Sequence, residues 1–160
     1  MIFRSNGKLL FTGEYLILKG AKALAVPTSF SQQLEISEQA NSLLSWESFF
    51  QHKLWFRGTF SIPNLEVIES NHSEIAQRLV HLLKNARNIK PEFLNGETGY
   101  KVTSKADFKS NWGLGSSSSL ISNISYCMTP PGAGTSTVSP TSFPINALPI
   151  GESTEILFSL

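Results

Sequence analysis

The stretch that most constrains this chain is Asn111-Trp112-Gly113-Leu114-Gly115-Ser116-Ser117-Ser118-Ser119-Leu120-Ile121. Two glycines bracket one apolar residue, four serines follow, and an apolar pattern then begins. Leu120, Ile121, Ile124, Cys127 and Met128 recur at the spacing of one helix face. A tight glycine turn therefore runs straight into a helix start. The first turn of a helix has N–H groups without intrahelical partners and carries the positive end of the helix dipole. Small residues keep Cβ atoms clear, so an anion can reach the backbone, and the arrangement can cradle a phosphate. On local composition alone the stretch reads equally well as a Gly/Ser turn capping an ordinary helix. It is not a Walker loop, because no Gly-Lys-Ser/Thr follows. It is not a dinucleotide fingerprint, because Ser118 stands where the third glycine belongs.

The rest of the chain narrows the possibilities. Its 160 residues suit one domain or part of a larger one, and 41% apolar content is enough for a packed core. A net charge of +1 argues against nucleic acid or an anionic membrane as the main partner. The single cysteine, Cys127, excludes an intrachain disulfide and a Cys-only metal site. The N-terminus lacks the apolar core of a signal peptide, and no apolar run reaches membrane-spanning length. A soluble, cytoplasmic protein is the expectation.

Lys8 to Leu18 is rich in strand formers, with Gly13-Glu14 interrupting. Ala23 to Val26 returns as a short strand, so a hairpin is the simplest geometry. Glu14 reads either as a solvated strand residue or as a site residue. Ser31 to Glu38 alternates, with Leu34 and Ile36 on one face. Leu43 to Phe50 and Leu54 to Ile62 form two more strands around Gln51-His52-Lys53. Their aromatic residues, Trp46, Phe49, Phe50, Trp55, Phe56 and Phe60, read as core or sheet surface. Asn71 to Ile89 carries the strongest helical stripe. Asn71 and Glu74 resemble a capping box at its start, and Lys84, Arg87 and Lys90 crowd its end, where the dipole favours cations. Gly99 to Phe108 reads as a strand leading into the glycine loop, with Tyr100, Val102, Ser104 and Ala106 on one side.

The character then changes. Residues 129–160 are dominated by Pro, Ser, Thr and Gly, and all 13 basic residues lie before them. Their composition reads as a loop or disordered tail. A frameshift or an artificial gene end produces such an abrupt loss of charge and period, and a natural short variant with a flexible tail is the alternative. The expected division is 1–128 as a folded, partial domain and 129–160 as the tail.

Two stretches together carry a family resemblance. Gly7-Lys8-Leu9-Leu10-Phe11-Thr12-Gly13-Glu14-Tyr15-Leu16-Ile17-Leu18 resembles the first motif of the GHMP kinases, the superfamily of galactokinase and of homoserine, mevalonate and phosphomevalonate kinases. Gly113-Leu114-Gly115-Ser116-Ser117-Ser118-Ser119 resembles its Gly-Leu-Gly-Ser-Ser-Ala-Ala loop. The wording is most similar to mevalonate- or phosphomevalonate-type members, across roughly residues 3–127. The resemblance implies an α+β fold similar to domain 2 of ribosomal protein S5, with a mixed sheet and packed helices. It implies ATP phosphates on Gly113, Leu114, Gly115, Ser116, Ser117 and Ser118, Mg²⁺ within reach of the Ser117 hydroxyl, Lys8 near the transferred phosphate as a catalytic group, and Glu14 on the substrate side. A cation at Lys8 makes physical sense, because charge on a transferring phosphoryl group needs stabilisation.

The departures are equally informative. Lys109 replaces the proline usual four residues before the first loop glycine. After the loop helix the only acidic residues are Glu152 and Glu155, neither in a recognisable motif. The family's catalytic aspartate, magnesium-binding glutamate, third motif and C-terminal domain have no counterpart. The expectation is an ATP- and Mg²⁺-dependent small-molecule kinase of which this chain is a truncated half, inactive alone and short of its C-terminal partner half. The alternative is a non-catalytic nucleotide-binding or interaction protein on the same half-fold.

Overall fold

The computed structural model describes residues 1–12 and 22–128. Glu14, most of the first expected hairpin's turn and residues 129–160 lie outside the described residues. The elements in chain order are β1 (Ile2–Leu10), β2 (Ala25–Gln39), β3 (Leu43–Phe50), β4 (Lys53–Ser61), β5 (Val67–Ser70), α1 (Ser73–Ile89), β6 (Gly99–Ala106) and α2 (Ser116–Met128). The strands form one mixed sheet in the order β1-β2-β6-β3-β4-β5. Among the described residues only the β3–β6 pair is parallel, and α1 lies on the crossover between those two strands. The fold class is therefore α+β.

Register divides the sheet into two chemically different faces. Across the strands, Phe3, Leu34, Ser104, Ser48 and Phe56 stand in one row, and Ile36, Val102 and Trp46 in the next. These rows face the helices and meet Ala76, Leu79, Leu83 and Ala86 of α1 and Ile124 of α2 in the main core. Glu35, Thr103, Glu47 and Arg57 form a row on the opposite face. There Lys105 pairs with Glu35 at 2.9 Å and Arg57 with Glu47 at 3.1 Å. Apolar-in, polar-out alternation of this kind lets a sheet cover one face with helices and leave the other to water.

Several local expectations are corrected. β1 begins at Ile2, well before Lys8, and β2 runs unbroken for 15 residues, joining the short return strand to the alternating segment. β2 holds that length because β1 pairs with it from Ala25 to Glu35 while β6 pairs with Gln32 to Gln39. The helix at 73–89 has His72 at its N-cap and no side-chain cap bond, so the Asn71–Glu74 box does not form. Asn71 serves the sheet edge instead: its side chain accepts from Arg57 N–H at 2.8 Å and donates to the Trp55 carbonyl at 3.1 Å. Arg87, at the other end of α1, donates to the carbonyls of Phe93, Leu94 and Pro63 and ties two loops to the helix. The aromatic segment behaves as read: Trp46, Phe56 and Phe60 are core, and Phe50 stacks on Trp55 at 5.3 Å.

Candidate functional site

β1 and β2 part locally at Gly7. The register passes from Asn6↔Ser31 to Lys8↔Pro27, so Gly7 alone faces Thr28, Ser29 and Phe30. The Thr28 hydroxyl contacts the carbonyls of Gly7 at 3.2 Å and Phe30 at 3.1 Å and fixes this irregular stretch. A Cβ on Gly7 would lie 3.0 Å from the Leu114 carbonyl oxygen and 3.1 Å from the Thr28 Oγ1. The missing side chain therefore lets the glycine loop settle against β1. The Lys8 N–H then donates to the Leu114 carbonyl at 3.0 Å. Two stretches a hundred residues apart in sequence are joined by a backbone hydrogen bond.

The loop itself is built for a reversal into a helix. Lys109 has φ −82° and ψ 147°, close to the backbone a proline would take, so the geometry survives the substitution. Ser110–Trp112 make one 3₁₀ turn, which ends on Gly113 at φ 67°. Gly115 follows at φ 69°, in the left-handed region that favours glycine. The Leu114 side chain anchors the loop against Ala106, Phe108 and Phe50. The first bond of α2 runs from Ser119 N–H to the Gly115 carbonyl at 3.0 Å, and the N–H groups of the preceding serines belong to the open helix start. The Lys8 side chain crosses this turn, with Cγ 3.2 Å and Cε 3.3 Å from where a Gly115 Cβ would stand. Burial pushes the Lys8 amine below its ordinary value, because a charge away from water is disfavoured.

Beside the loop lies a cleft between the starts of the two helices. Ser116, Ser117 and Leu120 form one wall, Ile75 and Leu79 of α1 another, and Trp46, Ser48, Phe50 and Trp55 of the sheet the floor. Ser117 is buried and Ser116 half-buried at its edge.

The underside of α2 differs from the expected apolar stripe. Ile124 is buried, Leu120 and Met128 pack at the margin of the core, and Ile121 and Cys127 are only half-buried. Ser119 and Asn123 occupy the rest of the sheet-facing side. The Ser119 hydroxyl donates to Gln32 Oε1 at 2.6 Å, and Gln32 Nε2 donates to Ser104 Oγ at 2.8 Å. Asn123 Nδ2 donates to the Gln32 carbonyl at 2.9 Å, and Ser5 Oγ donates to Asn123 Oδ1 at 2.8 Å. Among the described residues no buried side-chain polar atom is left without a partner. The sequence pattern does not single out these residues. Their one trace is a glutamine at an inward position of β2, in step with Leu34 and Ile36.

The structure thus brings Lys8 against Leu114 and Gly115 of the loop, and Ser116, Ser117 and Ser118 follow as the first turn of α2. Among the described residues no group of three or more His, Cys, Asp or Glu is placed to hold a metal ion. Asp107, the acidic residue nearest the loop in sequence, is engaged elsewhere: it accepts from Ser31 N–H at 2.7 Å and from the Ser31 hydroxyl at 3.0 Å. No described helix is long and apolar enough to cross a membrane.

Neither a protein-family model nor a curated protein matches the sequence. Solved structures do match. Mevalonate kinase of Methanococcus jannaschii aligns with a TM-score of 0.52 and 19% identity over 78% of this chain and 38% of its own. A second mevalonate kinase aligns at 0.51 and 18%, with the same coverage. Lactococcus lactis galactokinase complexed with galactose aligns at 0.56 and 13%, over 77% of this chain and 30% of its own. The chain spans between 30% and 38% of the length of these structures, and over that span it shares the fold of these mevalonate kinases and this galactokinase.

Proposed function

We propose that this chain is the nucleotide-binding half of an ATP-dependent small-molecule kinase of the mevalonate or phosphomevalonate type. ATP phosphates lie on the Gly113–Ser118 backbone, with the Lys8 ammonium against them. One observation carries the reading: the desolvated Lys8 side chain crosses Gly115 at the open start of α2. A helix start and a lysine converging on one point suit an anion such as a phosphate.

Among the described residues no group of three or more His, Cys, Asp or Glu is placed to hold a magnesium ion, so the ion would have to arrive with the nucleotide. Ser117 would offer it a hydroxyl, and the phosphates the remaining oxygens. Mg²⁺ would supply charge neutralisation on the transferring phosphoryl group. Lys8 would add to that neutralisation, and the Gly115–Ser118 N–H groups would orient the phosphates.

Phosphoryl transfer also needs a positioned acceptor and usually a residue to take its proton. The described residues offer no free carboxylate for this beside the loop. General-base assistance is typically worth about 10²–10⁴-fold, so we infer that the chain binds Mg-ATP in the cytoplasm and requires a second half to turn it over. Titration calorimetry with Mg-ATP should show binding that Lys8→Ala and Ser117→Ala each weaken severalfold. Phosphorylation of mevalonate or phosphomevalonate by the chain alone should be undetectable. Absence of nucleotide binding by the folded wild-type chain would sink the reading. Steady turnover would overturn the requirement for a second half.

A further inference from the structure

We propose that Gln32 is a positioning residue for the glycine loop, acting through Ser119. The inference rests on the nucleotide reading above and adds a residue from a distant strand to it. Gln32 lies on the helix-facing side of β2, 7% exposed, between Ser5 of β1 and Ala106 of β6. Its amide spans two buried hydroxyls, Ser119 on α2 and Ser104 on β6. It does so in either orientation of the amide, because each hydroxyl can donate or accept.

Ser119 is the link to the loop. Its Oγ lies 3.0 Å from the Ser116 carbonyl and 3.3 Å from the Gly115 carbonyl, besides 2.6 Å from Gln32 Oε1. The hydroxyl has a single proton and a crowd of three acceptors. With the amide oriented as here, Gln32 takes the Ser119 proton at a shorter distance than either loop carbonyl and ties the first turn of α2 to the sheet. That turn carries the N–H groups on which the phosphates would lie. An apolar contact at that point would hold the helix down without fixing its rotation. A buried hydrogen bond fixes both, because a shifted helix would leave polar atoms unpaired.

The ladder provides its own control. Ser5 and Asn123 hold α2 one turn further on by the same kind of bond, away from Gly115. Four proteins test the inference: Gln32→Leu, Ser119→Ala, the double variant, and Ser5→Ala. Mg-ATP affinity is read by titration, and backbone order by hydrogen exchange of the Ser119–Ser122 amides, which bond back to the first turn, against those of Ser125–Met128. Ser119→Ala and Gln32→Leu should each weaken Mg-ATP about tenfold and raise exchange only at the amides that bond back to the first turn. The double variant should be no weaker than the poorer single, since both act through one bond. Ser5→Ala should lower the unfolding temperature while leaving affinity within about twofold of wild type. Ser119→Ala keeps the test alive should Gln32→Leu fail to fold. Unchanged affinity and unchanged exchange of those amides in Ser119→Ala would overturn the proposal. If the wild-type chain binds no nucleotide, the nucleotide reading falls. The exchange comparison then still decides whether Gln32 sets the loop.

Discussion

The two helices cover the same sheet face by opposite means. α1 lies over its half of the sheet with an apolar stripe, Ala76, Leu79, Leu83 and Ala86, each at most 5% exposed. α2 lies near β1 and β2 on a ladder of hydroxyls and amides, with Ile124 as its one fully buried large apolar side chain. Apolar packing is strong and tolerant, and small shifts cost little so long as volume is filled. A hydrogen-bonded interface contributes less net stability but accepts only one arrangement. The tolerant helix does the folding, and the exacting one carries the loop. A loop with the proposed task of presenting backbone N–H groups to a phosphate has use for that difference.

The largest effect should come from the apolar half. Leu83 is 1% exposed in the core beneath α1. Leu83→Ala should cost about 2–5 kcal/mol, from lost burial and the cavity left behind. Urea unfolding would measure it. A loss of less than about 1 kcal/mol would show that α1 is not the element that holds the sheet.

The polar half should respond less to lost volume than to lost partners. Asn123 is fully buried and bonded to both Ser5 and the Gln32 carbonyl. Asn123→Leu keeps the bulk, strands those two groups and should cost about 1–3 kcal/mol. Adding Ser5→Ala removes one stranded group and should recover part of that loss. A double variant no more stable than Asn123→Leu would mean that α2 is held by shape, like α1, and the contrast between the helices would collapse.

The same contrast explains how much the sequence disclosed. α1 was legible because every fourth or third residue from Ala76 to Ala86 is apolar, and that period is its packing. The β3–β4 hairpin was legible because its aromatics cluster around Gln51-His52, with Gln51 at φ 55° in the turn. The glycine loop was legible because its φ values exclude most other residues. The ladder was not, since Ser5, Gln32, Ser119 and Asn123 are residues of surface type whose burial depends on partners up to 118 positions away. β1 escaped for the same reason: Arg4, Ser5 and Asn6 dilute its apolar pattern, and its place is set by pairing with β2. Asn71 misled because a good capping residue met a better use at the sheet edge.

The smallest effect concerns the charge held on the exacting side. Among the described residues Lys8 forms no ion pair, and burial lowers its amine below the ordinary 10.5. Below the lowered value both the folded and unfolded chains carry the proton, and the folded chain bears the full cost of a poorly solvated charge. Between the lowered value and 10.5 the folded chain has released its proton while the unfolded chain still holds it. The unfolded state then binds more protons, so stability rises with pH across that window and is flat below it. Lys8→Met lacks this term. The stability of wild type relative to Lys8→Met, measured by urea unfolding at a series of alkaline pH values, should therefore climb towards pH 10.5. Tripolyphosphate should abolish the climb, because an anion beside the amine favours its charged form and offsets the desolvation. Its binding should also take up a proton in the same window, seen as a dependence of the calorimetric heat on the buffer's ionisation enthalpy. Parallel pH profiles for the two proteins would show that Lys8 feels water after all, and that the loop half of the molecule holds no charge in waiting for a phosphate.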